Sequence, residues 1–279
     1  MLQNTNDMLL KAMKGGYAIP HFNINNLEWT KYILEECNNN YSPVILGVSE
    51  SAVKYMGGYN TVSSLVQALI KDLNITISVA LHLDHGSSYE NSKKAIDAGF
   101  TSVMIDASHL DIDKNIEITK QVVDYAHNHN VSVEAEIGII TKGTNNNKYA
   151  SVEECIKLYN NTNIDSLAPS VGSMHGLYKE NPNLNFELIK EISNKLNIPL
   201  VLHGGTGIPD EDITKAIQNG ITKININTEL QVEWSKSVKE YLKNNNEIYD
   251  PRKIISSGEE NIKKVVKDKL HILGSFNKI

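Results

Sequence analysis

Short aliphatic, β-branched runs alternate with amphipathic stretches eight times along this chain, and that alternation limits the folds open to it. The strand-like runs fall at 17–23, 43–48, 75–82, 101–105, 131–136, 164–170, 198–202 and 221–226. Helix-like segments follow at 27–38, 61–73, 88–98, 113–127, 151–159 and 185–196, then one opened by Pro209, then 229–242. A further helix at about 258–273 closes the chain. Ser87 or Ser88 is placed to cap the third helix and Gly99 to stop it. Repeated strand–helix units imply a parallel sheet. An open, doubly wound sheet would need a phosphate fingerprint after the first strand, and Phe22-Asn23-Ile24-Asn25-Asn26 is not GxGxxG. The expectation is an α/β fold, a (β/α)8 barrel of TIM type with an additional C-terminal helix, spanning 1–279 as one domain.

Composition narrows the function. A net charge of −6 argues against a nucleic-acid partner. No apolar run approaches membrane length, and the first twenty residues hold no signal-peptide segment. Cys37 and Cys155 stand far apart outside any CxxC, which suits a reducing compartment. A cytoplasmic enzyme without membrane or nucleic-acid partners is expected. Asparagine runs at 38–40, 145–147 and 244–246 read as solvated filler.

Chemistry in parallel barrels gathers at the carboxyl ends of the strands. His82-Leu83-Asp84-His85-Gly86-Ser87-Ser88 closes the third strand-like run and puts an acid between two imidazoles there. Taken alone, it could equally be a packed histidine and a strand end. The other strand ends change that balance: Asn23, Ser49, Asp106, Glu136, His175, His203 and the segment Asn225 to Thr228 converge on the same rim. His85, His175 and His203 could share a metal with one open position, the arrangement of a catalytic zinc. His127 and His129 sit at a helix end, His271 on the last helix, His21 and His82 within strands, and His109 in a loop. A glycine-rich loop, Gly204-Gly205-Thr206-Gly207, follows strand seven, and Asn225-Ile226-Asn227-Thr228 opens a helix after strand eight. Loops and helix starts at these two units commonly seat a phosphate. Ser173-Met174-His175-Gly176-Leu177-Tyr178-Lys179 adds a glycine and a lysine beside a candidate ligand. Together these suggest a metal enzyme acting on a phosphorylated carbonyl compound.

The chain resembles the class II, zinc-dependent ketose-bisphosphate aldolases, and among them the bacterial fructose-bisphosphate aldolases. The resemblance runs through residues 22–26, 43–50, 82–88, 102–108, Glu134-Ala135-Glu136, His175-Gly176, 203–209, 223–229 and Asp250-Pro251-Arg252. It implies a homodimer or homotetramer that reversibly cleaves a sugar bisphosphate to dihydroxyacetone phosphate and an aldehyde, in glycolysis if the substrate is fructose 1,6-bisphosphate. It implies Zn2+ on His85, His175 and His203, a second metal position at Asp106 and Glu136, and Asp84 as the base for the C4 hydroxyl. Gly176, Gly204, Thr206, Asn225 and Thr228 would line one phosphate, with a monovalent cation (Na+ or K+) nearby; Asn23 and Ser49 would face substrate. Asn227 matches the fructose rather than the tagatose enzymes, and Lys179 joins the candidate substrate-binding set. Metal-free aldolases need a Schiff-base lysine on an inner strand; strand six has none, and Lys223 on strand eight is the one to exclude.

Two features stand apart. The family carries a glycine-paired, acidic loop after strand five, whereas residues 139–149 here hold no acid. That segment favours an aldolase-like sugar-phosphate binder of impaired activity, while the three histidines and Asp84 favour a working enzyme. Tagatose bisphosphate or another ketose bisphosphate stays open as substrate. Arg252 is the only arginine among 27 basic residues. Its planar fork suits a phosphate, and the resemblance implies that it reaches the second phosphate from a partner subunit.

Overall fold

The computed structural model describes residues 2–140, 149–176, 178 and 182–278. The first half runs α1 (Asn6–Gly15), β1 (Ile19–Asn23), α2 (Leu27–Asn39), β2 (Val44–Ser49), α3 (Glu50–Tyr55), α4 (Tyr59–Asp72), β3 (Val79–Gly86), α5 (Tyr89–Asp97), β4 (Ser102–Ile105) and α6 (Ile112–His127). The second runs β5 (Ser132–Ile137), α7 (Val152–Thr162), β6 (Ser166–Pro169), α8 (Phe186–Leu196), β7 (Leu200–Leu202), α9 (Asp210–Gln218) and β8 (Ile221–Ile226). Three helices finish it: α10 (Thr228–Asn244), α11 (Pro251–Ser256) and α12 (Glu259–Ile272). The strands pair in sequence order, all parallel, and β8 returns to β1 to close the barrel. This is the (β/α)8 barrel with its extra C-terminal helix; α12 lies against α2 and α10.

Alternation along each strand divides two kinds of packing. Phe22, Leu46, Leu81, Val103, Val133, Leu167 and Ile224 belong to the apolar layer between sheet and helices. The residues between them turn toward the barrel axis, and several are polar: His21, His82, Glu134 and Lys223 are all buried there. Gly47 makes room for one of them, since a Cβ at that position would stand 1.7 Å from His21 Nε2.

The structure departs from the sequence reading in four places. β3 does not stop at His82 but carries its hydrogen bonding to Gly86, with a register shift against β4 between Leu83 and Gly86. The histidine–aspartate motif is therefore strand, not loop. Helix α1 precedes the barrel and packs Met8, Leu9 and Ala12 on Ile19, Ile45 and Ala80, near the starts of β1–β3. Helices α3 and α11 are six residues each, too short for a 3.6-residue periodicity to declare itself. Finally, the asparagine runs are not plain filler: Asn38 accepts from the Thr76 amide at 2.8 Å, and Asn40 is buried and donates to Glu36. Residues 145–147 lie outside the described segments.

Candidate active site and metal centre

A cavity of about 740 Å³ opens at the carboxyl ends of the strands. The strand ends deliver its walls: Asn23 from β1, Ser49 from β2, Asp84 and His85 from β3, Glu136 from β5 and Asn225 from β8. Asp106 follows β4, His175 and Gly176 lie in the β6–α8 connection, and Gly204 and Thr206 follow β7. Asn227 and Thr228 complete the wall at the start of α10.

Asp84 is held at both oxygens. Asn23 Nδ2 donates to Oδ2 at 2.8 Å and Asn225 Nδ2 to Oδ1 at 3.3 Å. Burial opposes its charge, yet His21, His85, His203 and Lys223 around it hold the carboxyl well below the ordinary range. Asp84 is thus an ionised, oriented acceptor. Asn23 reaches the cavity mainly as the support of this carboxylate.

His85, the next residue, has a left-handed backbone (φ 52°), rare for a non-glycine residue and tied to the β3 irregularity. Its Nδ1 bonds Asp106 Oδ2 at 2.8 Å. Ser108 ties Asp106 to Glu136: its Oγ lies 2.7 Å from the first carboxylate and 3.1 Å from the second, which share its single proton. His203 is fully buried behind the cavity wall. The rings of His85 and His203 lie 4.7 Å apart, those of His85 and His175 5.0 Å, and those of His175 and His203 5.7 Å.

A ligand atom from each of these three histidines falls within 4.8 Å of the others, and His85, Asp106 and Glu136 meet the same measure. The electrostatics match a cation. Burial, with Asp106 close by, pushes the Glu136 carboxyl up to about 8. Burial disfavours the charged His85 ring, but Asp84, Asp106 and Glu136 raise it to about 9. Such a pocket lacks positive charge. His203 Nδ1 and Glu136 Oε2 are buried without hydrogen-bond partners, 3.4 Å apart. An unpartnered imidazole nitrogen beside a carboxylate oxygen is a donor pair that zinc takes.

The phosphate candidates assemble differently from the way each was read. Thr206 Oγ1 accepts from the Glu229 amide at 3.3 Å, so the β7 loop supplies the cap that Asn227 does not give α10. Gly204 must be glycine: φ is 70°, and a Cβ would stand 2.0 Å from the Met174 carbonyl. Tyr178 adds a second tie, accepting from the Met174 amide and donating to the Gly204 carbonyl. These contacts seat the His175 segment on the β7 loop. Ser49 caps α3 by accepting from the Ala52 amide, while its side lines the cavity. Arg252 is not in this cavity: on α11 its guanidinium is 89% exposed and grips Asp250 at 2.9 and 3.1 Å. Lys179 lies outside the described residues, as do 141–148 of the acid-free segment.

Sequence reasoning missed Asn25, Ser108, His109 and Gln231, which also line the cavity. Ser108 closes the 102–108 motif and His109 directly follows it, so the distance from Asp106 was a usable signal. Gln231 gave none, since only the first turn of α10 facing the rim exposes it. Lys223, the lysine to exclude as a Schiff base, is already paired: Nζ meets Glu134 Oε2 at 2.6 Å, and both are buried.

Barrel, buried carboxylate and three-histidine cluster make up a candidate metal centre at the rim of a (β/α)8 barrel. Residues 3–278 match the family model described as fructose-bisphosphate aldolase class-II, and the chain belongs to that family. A fructose-bisphosphate aldolase of Geobacillus stearothermophilus is 52% identical over 282 residues, covering 99% of this chain and 98% of its own. One from Staphylococcus epidermidis is 51% identical over 285 residues, covering 99% of both chains. Among solved structures, the YdjI aldolase of Escherichia coli K12 aligns over 100% of this chain and 99% of its own, with TM-score 0.88 and 32% identity. Fructose-bisphosphate aldolase of Campylobacter jejuni aligns over 100% and 97%, with TM-score 0.87 and 25% identity.

Proposed function

We propose that this protein is a zinc-dependent aldolase that reversibly cleaves fructose 1,6-bisphosphate to dihydroxyacetone phosphate and glyceraldehyde 3-phosphate. The observation that carries the reading is Asp84, an anchored carboxylate beside the three-histidine cluster at the wall of the cavity. His85, His175 and His203 would hold the zinc, with Asp106 and Glu136 as a second position. Bound there, zinc supplies Lewis-acid polarisation of a substrate carbonyl. Asp84 takes the proton of the C4 hydroxyl, the C3–C4 bond breaks, C4 becomes the aldehyde carbon, the bond's electron pair passes toward the C2 carbonyl oxygen, and C3 then takes a proton from solvent to complete dihydroxyacetone phosphate. In condensation Asp84 returns that proton. Backbone amides of the β7 loop and the start of α10, with Gly176 and Asn225, would receive one phosphate; a Na+ or K+ near them is part of the proposal. Arg252 of a second copy would meet the other phosphate, which makes the working unit a homodimer or homotetramer. Among the described residues no helix is long and apolar enough to cross a membrane, in keeping with a cytoplasmic site of action.

The acid-free segment 139–149 favours a second reading, a binder of sugar phosphate with little turnover. A coupled cleavage assay on fructose 1,6-bisphosphate, with and without chelator, separates the two. Chelator-sensitive cleavage, faster than on the tagatose epimer, is expected. Substrate binding with no metal-dependent cleavage would overturn the enzyme, and equal or faster use of the epimer would overturn the substrate.

A further inference from the structure

His203 can serve a metal only through Nδ1, and only if the ring proton sits on Nε2. That choice of tautomer is not made by His203 itself. Its Nε2 lies 3.0 Å from Glu134 Oε1, and a carboxylate has lone pairs but no proton to offer, so Nε2–H must donate. The other oxygen, Glu134 Oε2, accepts from Lys223 Nζ at 2.6 Å. All three side chains are buried, on β5, on β8 and just after β7. A carboxylate sealed inside a barrel requires a countercharge and filled hydrogen bonds, and Lys223 provides both without touching the cavity. His203 Nδ1 is left buried and unpartnered on the cavity side.

We propose that the Lys223–Glu134 pair is a positioning device that locks His203 in its Nε2–H tautomer and so presents the Nδ1 lone pair to the metal. This rests on the proposed zinc reading and assigns a task to two residues that reach neither metal nor substrate. Strand-internal charge in β5 and β8, otherwise hard to justify in a buried sheet, then has a reason.

The test compares Glu134→Gln with the double variant Glu134→Gln/Lys223→Met. Two quantities are read: His203 ring 15N shifts in metal-free protein, and zinc affinity by competition with a chelator. In Glu134→Gln the amide oxygen turns to the Lys223 ammonium, its NH2 group faces Nε2, and the ring must move its proton to Nδ1. The tautomer should switch and zinc affinity should fall about 10–100-fold, the usual loss when a ligand's orienting partner is removed. In the double variant no ammonium claims the amide oxygen, so it turns to Nε2–H; tautomer and affinity should both recover to within a few-fold of the parent. A folded Glu134→Gln protein that keeps the parental tautomer overturns the proposal, and so does a folded double variant that fails to recover. If Glu134→Gln does not fold, Glu134→Ala takes its place: with no carboxylate to accept Nε2–H the parental tautomer and zinc affinity should be lost, and a folded Glu134→Ala protein that keeps both overturns the proposal. Failure of the underlying reading looks different: the parent protein itself would bind no zinc, whatever its His203 tautomer.

Discussion

Asp84 receives two amide N–H groups, from strands at opposite ends of the sequence, before any substrate arrives. Replacing it with alanine should leave zinc content and fold intact while removing the proton acceptor. We expect C–C cleavage to fall by about 10²–10⁴, the usual worth of a positioned acid–base group; near-parental turnover would mean another residue is the base. His85→Ala, His175→Ala and His203→Ala should each strip zinc and activity together, read by elemental analysis of purified protein. His127→Ala is the control, because His127 is spent on Asp165 at 2.9 Å, far from the cavity in the fold. Full zinc occupancy in any of the three variants would sink the ligand set. At this scale the sequence was highly legible wherever a polar residue ended a strand. It was silent on partners: nothing in Asn23 as a letter says that it serves Asp84, and nothing in Lys223 says that Glu134 claims it.

Strand–helix alternation revealed all eight strands because each must bury an aliphatic face under helices. One cap was legible too, at Ser88; Ser151 and Asn185 were read only as helix starts. Ser88, Ser151 and Asn185 accept from amides three residues on, where the start of each helix needs an acceptor. Ser88→Ala should cost about 1 kcal/mol, seen as a lowered melting temperature with unchanged zinc content. The end of β3 was not legible, because a polar, glycine-flanked motif looks like a loop, and pairing with β2 through Asp84 and with β4 at Gly86 keeps it extended. Segment 139–149 is the element where this chain parts from the family resemblance. Exchanging residues 142–147 for a segment with paired glycines and an acid should raise turnover substantially. An unchanged rate would show that the chain does not lack a loop acid and uses another cavity group in its place.

Arg252 belongs to the scale of the whole molecule. Held out from α11 and 89% exposed, it does not line the cavity at the strand ends. Its planar fork would be unnecessary for a surface ion pair with Asp250 worth ~0–1 kcal/mol. Arg252→Lys should weaken use of a bisphosphate far more than that of a substrate lacking the C6 phosphate, with zinc binding unaltered. Equal losses on both substrates, or none on either, would place the arginine elsewhere in the protein's work.

Closure of the barrel between β1 and β8 also makes the protein its own optical reporter. The chain has two tryptophans, Trp29 on the helix after β1 and Trp234 on the helix after β8, and their rings lie 5.1 Å apart across that seam. The same seam brings Asn23 and Asn225 together over Asp84, contacts that span 61 and 141 residues of chain. Indole emission and catalytic competence should therefore return together during refolding, each waiting for the first strand to find the last.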